Sequence, residues 1–337
     1  MVMRSVLRIH LPKNIFKNVQ GLQRHTSNAP LIHFNSQQSH ENSDNNVLQK
    51  VNGDLSTIAP YLPNTFNLAA YVNHSETLQN LINLNVNLSK IEKKPFIAEK
   101  IIKLNFDDIK NHILFIKDYA GIENIAGFIT KNPMIFYEAL EDLKVRLNYL
   151  QSKQFSNDQI SRIISKNPFW LMLSTKRIDR RLGYFQDKFQ LSGSDLRMLA
   201  TKQPKLITYN LHHIKTNSFV IKEEMGFDDN EIKRLLLDKP KLWMIDQKNL
   251  LHRFNYIHNT IKIPHKYILN YPGVLLCRNF KIKQRHLFLE KLGRAQYNSK
   301  KENYVPLIAL AEDTDIQFCK TYAKCSVSDF NDFLKTL

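Results

Sequence analysis

The sequence is poor in glycine and cysteine and has no long hydrophobic run. Its 337 residues include nine glycines and three cysteines. No stretch alternates apolar and polar residues at the period of a strand, so we expect an all-α protein. The cysteines are odd in number and form no CxxC pair, which favours a reducing compartment and argues against a disulfide framework. No apolar stretch approaches the ~20 residues that span a bilayer, so no membrane insertion is expected.

Motifs for catalysis and metal binding are also missing. There is no Gly-rich phosphate loop, no GxSxG and no HExxH. His212 and His213 are adjacent and would point apart on a helix, while Cys319 and Cys325 lack a matching pair of ligands. We therefore predict a non-enzymatic protein without cofactor or metal, although a fold can hide a site that sequence order does not show.

The chain contains instead a repeat marked by proline. The prolines are spaced by 35, 36, 36 and 32 residues, and they are Pro133, Pro168, Pro204, Pro240 and Pro272. A period of this size is typical of stacked supersecondary units. Because proline excludes the preceding residue from a helix, each unit is predicted to be a helix, a short apolar turn and a second helix. A related, degenerate unit surrounds Pro95.

Equivalent positions after each proline carry similar residues. We name each unit by its proline and count positions from it, so Leu143 is position 10 of the Pro133 unit. Positions 10, 14 and 17 have helical spacing, and the apolar residues at 10 and 17 predict an amphipathic second helix. Position 6 holds Ser174, Asn210 and Asp246 in three units, where an N-cap would lie.

The first forty residues differ from the rest. They are basic, contain no acid before Glu41 and carry apolar residues on one flank. This pattern is typical of a mitochondrial presequence; a basic tail of another purpose is the alternative. We assign residues 1–50 to presequence and linker, 51–298 to the repeat array and 299–337 to a C-terminal helical cap.

The positive charge is concentrated in the clear repeats. The chain has a net charge of +17, of which residues 131–298 carry +15, residues 1–130 carry +3 and residues 299–337 carry −1. A stacked helical array with such a field is typical of a nucleic-acid binder. The alternative is a solvated basic face without a ligand.

The candidate nucleic-acid contacts are cations of these repeats. Position 13 is arginine in four units, as Arg146, Arg181, Arg253 and Arg285, and is Asn217 in the Pro204 unit. Such a strip could follow phosphates, or each arginine could lie on the core and pair with the neighbouring unit. The other candidates flank the prolines or lie near helix ends: Lys176, Arg177, Arg180, Lys202, Lys205, Arg234, Lys239, Lys241, Arg278, Lys281 and Lys283.

These units, with an Arg-Leu/Phe-x-aromatic-aliphatic string thirteen residues after the proline, resemble the mitochondrial transcription termination factor (mTERF) family. Strings that begin at Ser75, Leu88 and Leu114, and the tail from Arg285 to Tyr297, extend the similarity. The resemblance implies a left-handed superhelical solenoid of triangular repeats, each of two α-helices and a short 3₁₀ helix, with a basic concave face. It also implies a location in the mitochondrial matrix, binding of double-stranded mitochondrial DNA, repression of transcription initiation and a part in mitochondrial ribosome assembly, with no catalytic residues.

Two other partners stay open. Mitochondrial rRNA of the large ribosomal subunit would suit a basic solenoid, because RNA is recognised by shape and 2′-OH groups. A protein partner is the other, because many helical solenoids are scaffolds. A pentatricopeptide array has a similar period but lacks the regular proline. A monomer is expected.

Overall fold

The computed structural model describes residues 67–312 and 314–337. The predicted presequence, the linker and the first residues assigned to the array lie outside these ranges. Within them every regular element is helical, which confirms the all-α prediction. None of these helices has the length and apolar character that a membrane crossing requires.

The helices follow one another along the chain with short connections. Before the Pro133 turn they are α1 (Ala69–Val72), α2 (Glu76–Asn83), α3 (Leu88–Glu92), α4 (Pro95–Ile102), α5 (Phe106–Leu114) and α6 (Ile125–Lys131). The array continues with α7 (Leu140–Ser152), α8 (Asn157–Lys166), α9 (Thr175–Phe189), α10 (Gly193–Lys202), α11 (Pro204–Thr208), α12 (Leu211–Phe219), α13 (Asp229–Asp238), α14 (Gln247–Asn255), α15 (His265–Asn270) and α16 (Asn279–Lys291). The last helices are α17 (Ile308–Ala311), α18 (Asp315–Gln317) and α19 (Val327–Leu334). Segments of π-helix extend α5, α12, α14 and α18 as Phe115–Tyr119, Val220–Glu224, Tyr256–Thr260 and Phe318–Ala323.

Each proline occupies the first position of a turn between two helices, where its missing N–H is harmless. Four turns are 3₁₀ helices: Pro133–Tyr137, Pro168–Met172, Pro240–Met244 and Pro272–Leu276. The Pro204 unit departs from the expected pattern, since its turn is the short α-helix α11. This turn closes with the same backbone bond as the others, from the N–H of Tyr209 to the carbonyl of Leu206 at 3.2 Å. In the degenerate unit, Pro95 is the first residue of the eight-residue helix α4 and not of a short turn.

The second helices bury the stripe that their spacing predicts. Positions 10 and 17 are buried in every clear unit, at Leu143, Ile178, Ile214, Leu250, Ile282, Leu150, Phe185, Ile221, Ile257 and Leu289. The predicted N-caps are confirmed, because the side chains of Ser174, Asn210 and Asp246 accept hydrogen bonds from backbone N–H groups of α9, α12 and α14. The first helices α8, α10 and α13 start with capping boxes at Ser156, Ser192 and Asp228. Both helix starts are therefore encoded locally.

The position-13 arginines connect each unit to the next turn. Arg181 Nη1 donates to the carbonyl of Tyr209 at 2.8 Å, and Arg253 Nη1 donates to that of Leu275 at 2.8 Å. Arg146 makes the equivalent bond to the carbonyl of Leu171. A short helical turn leaves carbonyls without partners inside its own backbone, and these arginines satisfy some of them from outside. The geometry supports the structural alternative for position 13.

The Pro204 unit makes this connection with shorter, uncharged groups. Asn217 Nδ2 donates to the carbonyls of Leu242 at 3.3 Å and Ile245 at 2.8 Å. The His213 ring also bonds to the Ile245 carbonyl through Nε2, at 2.8 Å. Asn217 is fully buried, and its Oδ1 has no hydrogen-bond partner among the described residues.

A second set of bonds joins consecutive turns directly. The side chains of Asn132 and Asn167, each just before a proline, donate to the carbonyls of Pro168 and Pro204 at 3.5 and 3.4 Å. Trp170 Nε1 also donates to the Pro204 carbonyl, at 2.9 Å. The turns are therefore stacked through side-chain bonds to backbone carbonyls.

The segment after residue 298 continues the pattern without a buried proline. Leu307 is buried and precedes α17, which packs on the Pro272 turn. Arg285, with no exposed surface, donates from Nη1 to the carbonyls of Ala309 at 3.2 Å and Glu312 at 2.6 Å. Its Nη2 lies 2.8 Å from Asp315 Oδ1, and its guanidinium carbon lies 4.7 Å from the centre of the Phe318 ring. Arg285 thus fixes the C-terminal helices to α16.

We predict that Arg285→Met lowers the free energy of unfolding by roughly 3 kcal/mol, because it removes a fully buried guanidinium together with its hydrogen bonds to the carbonyls of Ala309 and Glu312 and to the half-exposed Asp315. Urea unfolding followed by circular dichroism measures this change. The matched control is Lys283→Met on the exposed face of the same helix, which should change stability by less than about 0.5 kcal/mol. Equal effects of the two substitutions would contradict the role assigned to Arg285.

Candidate nucleic-acid interface

The units have two chemically different ends. At one end, which we call the turn end, the first helices finish, the proline turns lie and the second helices begin; it comprises residues 166–180, 202–213, 238–249 and 270–283. At the opposite loop end, the second helices finish and the next first helices begin. The helices α9, α12, α14 and α16 have no acid in their first turn. By contrast, α8, α10 and α13 each start with at least one acid, at the loop end.

The start of α9 carries an exposed basic cluster. Lys176, Arg177 and Arg180 are all exposed. Their side chains make no hydrogen bond or ion pair with any residue in the described ranges. Positive side chains near a helix N-terminus oppose the positive end of the helix dipole. The cluster is therefore unfavourable for the isolated helix and well suited to an anion.

A groove at the turn end brings three predicted cations together. Lys205 and Lys241 each follow a turn proline and are exposed, and Arg253 reaches the same groove from α14. The groove has a volume of about 430 Å³, and Tyr209 and Met244 contribute to its lining. The ammonium group of Lys205 lies 5.8 Å from the centre of the Tyr209 ring. The groove combines cations with an aromatic surface.

Three other candidates lie in the second half or at the end of the first helices, and two of them, Lys202 and Arg234, bridge neighbouring units. Lys202 Nζ donates to the carbonyl of Leu237 at 2.7 Å, and Arg234 Nη2 donates to Asn270 Oδ1 at 3.3 Å. The ammonium groups of Lys202 and Lys239 lie 3.9 and 3.5 Å from Asp238 Oδ1. These side chains stay at the surface, but part of their charge is already compensated within the protein.

The candidates of α16 are spread along its first two turns. Arg278 and Lys283 are exposed, whereas Lys281 is half-buried and already has an interaction partner. The guanidinium carbon of Arg278 lies 6.0 Å from the ring of Phe280. The structure does not bring them into the groove of Lys205 and Lys241.

The position-13 arginines are the least accessible of the candidates. Arg285 has no surface that a phosphate could reach. Arg146 is held 2.6 Å from Glu138 and 3.7 Å from Asp142, so its charge is balanced locally. Burial lowers the pKa of Arg181 from its usual value, and the charge of Arg177 lowers it further. Burial likewise lowers the pKa of Arg253. Arginine nevertheless stays protonated.

The basic surface does not extend to the Pro133 unit. There the second helix, α7, starts with Glu141 and Asp142, and Glu138 lies just before it. The corresponding end of the Pro133 unit is therefore acidic, whereas the turn end of the units that follow is basic.

Sequence reasoning missed two residues of the turn end. Lys248 is exposed in the first turn of α14 and stands at position 8, as Lys176 does in its own unit. Tyr209, at position 5, lines the groove. Comparing position 8 across units would have found Lys248, whereas no spacing signal distinguishes Tyr209 from a core aromatic.

Comparison with known proteins agrees with this architecture. The mTERF family model matches residues 46–318. The chain is 45% identical over 274 residues to a Drosophila melanogaster protein named mitochondrial transcription termination factor 3, a match that covers 81% of this chain and 77% of that protein. It is 47% identical over 285 residues to the Rattus norvegicus protein of the same name, covering 83% and 70%. Mitochondrial transcription termination factor 4 of Mus musculus is 29% identical over 178 residues, covering 52% and 51%.

The family resemblance that the proline-centred units indicated is thus confirmed over most of the chain. The proline turns, the paired helices and the side-chain bonds between units form one helical-repeat array. We conclude that the protein belongs to the mTERF family.

Proposed function

We propose that the protein is a non-enzymatic mitochondrial regulator that binds double-stranded mitochondrial DNA through its turn end and represses transcription initiation. A part in assembly of the large ribosomal subunit belongs to the same proposal. The observation that carries it is the cluster of Lys176, Arg177 and Arg180, which are exposed, unpaired among the described residues and placed at a helix start without acids.

A bound phosphate would add favourable interactions at the start of α9. Backbone N–H groups and the dipole at the start of α9 favour an anion, and the three cations increase that preference. Bound phosphate would also reduce the repulsion between Arg177 and Arg181, which adds to the effect of burial in lowering the pKa of Arg181. Binding would thus compensate positive charges that repel one another in the free protein.

The turn end can extend such contacts over several units. Exposed Lys205, Lys241 and Lys248 follow the α9 cluster in the next two units. Packed helices lie roughly 8–10 Å apart, so successive units can meet successive phosphates of a backbone. Contacts of this type position a protein on DNA and carry little sequence information. We expect mostly sequence-independent binding, on the concave side that the family resemblance implies.

The names of the relatives support a mitochondrial role in transcription. The proteins of Drosophila melanogaster and Rattus norvegicus are named as mitochondrial transcription termination factors. The basic leader adds an independent reason for the mitochondrial assignment. Neither observation distinguishes initiation from termination, so promoter-dependent transcription in vitro, with and without the protein, tests repression directly.

We predict that the triple substitution Lys176→Gln, Arg177→Gln and Arg180→Gln weakens binding to a duplex by at least about tenfold at moderate salt. The slope of log affinity against log salt should become shallower by about 2 to 3, since each phosphate contact contributes about 0.9 to it. Fluorescence anisotropy over a series of salt concentrations measures both quantities.

The control removes the same number of charges outside the turn end. Lys300, Lys301 and Lys320 are exposed and lie after the clear repeats, and their triple substitution by glutamine should leave the slope nearly unchanged. If both triple variants lose affinity to the same degree, binding follows total charge and the proposed interface is wrong.

A second candidate ligand is folded rRNA with unpaired bases. It is favoured by an aromatic side chain on the exterior of the basic units, since Phe169 in the Pro168 turn is 48% exposed. Aromatic rings stack on unpaired bases, and sequence-specific recognition of RNA mostly involves such bases.

Phe169→Ala distinguishes the two ligands. If RNA loops are bound, this substitution should weaken binding of a hairpin RNA by about 1–3 kcal/mol, the usual effect of losing one stacked base, and leave duplex DNA unaffected. Equal affinities of the variant and the wild type for both ligands would remove Phe169 from the interface. Crosslinking in mitochondria identifies the nucleic acid bound in the cell.

A further inference from the structure

A cleft between two units lies outside the proposed interface. It has a volume of about 720 Å³ and is bounded by the end of α9, the helix α12 with its π-helical extension, and the start of α13. None of the residues that line the cleft belongs to the turn end. Its volume falls in the range of small-molecule sites.

The walls of the cleft are aromatic. Tyr184 and Phe189 come from α9, and Phe219 comes from α12. Phe219 is 60% exposed and stands at position 15, where the neighbouring units have Gly183 and Asn255. An exposed ring at a position that is otherwise small or polar has no role in the core and offers a flat apolar surface to a ligand.

The rim of the cleft is basic. Lys188, Lys215, Lys222 and Lys233 line it together with Glu223 and Asp229. Lys222 is paired with both carboxylate oxygens of Asp229, at 2.7 and 2.9 Å. Lys233 Nζ donates to the carbonyl of Gln190 at 2.8 Å.

The other two lysines of the rim are not paired in this way. Lys188 and Lys215 are exposed and form no ion pair with a residue in the described ranges, and Lys215 Nζ lies 5.7 Å from the Tyr184 ring. Two cations are therefore available beside an aromatic wall.

We propose that this cleft binds a free nucleoside phosphate, with the base against Phe219 and Tyr184 and the phosphates on Lys188 and Lys215. The flat apolar wall suits a heterocycle, and the two ammonium groups suit a phosphate chain as point charges. The side-chain amides of Gln190 and Asn230, which also line the cleft, can bond to polar atoms of the ring. A nucleotide within a nucleic-acid strand has the same chemistry, so the experiment must separate the two sources.

Equilibrium binding of a fluorescent ATP analogue to the full chain tests the proposal, with ATP, GTP, tripolyphosphate and a single-stranded oligonucleotide as competitors. We expect saturable binding, displacement by ATP or GTP, and weaker displacement by tripolyphosphate. Lys188→Gln with Lys215→Gln should weaken binding by at least about tenfold, since two charge-assisted contacts are lost. Phe219→Ala should weaken it severalfold through lost stacking.

Two controls separate this site from the proposed interface. Lys266→Gln with Lys301→Gln removes the same charge at exposed positions outside the cleft and should leave nucleotide affinity unchanged. The triple variant of Lys176, Arg177 and Arg180 described above, here called the α9 triple variant, should also leave it unchanged. Unaltered thermal melting shows that each variant is folded. The proposal is overturned if no saturable binding occurs, if tripolyphosphate competes as well as ATP, if the α9 triple variant abolishes binding, or if only oligonucleotides displace the analogue.

Discussion

The array depends on hydrogen bonds from side chains of one unit to backbone carbonyls in the turn of the next. A proline turn is short, and its carbonyls have few partners of their own. Arg181, Arg253 and Asn167 supply donors from the preceding unit. The same proline that ends a first helix thus also creates the acceptors by which units recognise one another. Apolar burial at positions 10 and 17 supplies most of the stabilisation, while these bonds fix how consecutive units are aligned.

Because the bonds between units need donors beside the core, cations at different positions of the same unit have different roles. A guanidinium that must reach a turn carbonyl lies against the core, as Arg285 does in full and Arg146 in large part. A cation that is free to meet a ligand lies one helical turn away, as Lys176 and Arg177 do at the start of α9. Both sets contribute to the net charge, but the charge of the second set is more exposed to solvent.

The repeat, its helices and its turns could be predicted from the sequence, because proline, N-cap residues and apolar spacing act locally. The caps at Ser174 and Asp246 are where the spacing places them. Accessibility could not be predicted in the same way, because position 13 borders the apolar stripe and both roles fit its spacing. The structural role is favoured only because the carbonyls of the adjacent turn lie within hydrogen-bonding distance, which the sequence does not show. The cleft beside Phe219 could not be predicted from the sequence either, because it depends on the relative positions of α9, α12 and α13 in the folded protein.

The joint made by Asn217 differs from its neighbours in how it should respond to dissolved ions. Its hydrogen bonds come from a neutral amide, whereas the flanking joints at position 13 use the charged guanidinium groups of Arg181 and Arg253. Ions screen the interactions of charged groups and have little effect on neutral ones. The position-13 contact between the Pro204 and Pro240 units is therefore the one whose strength should vary least with ionic strength.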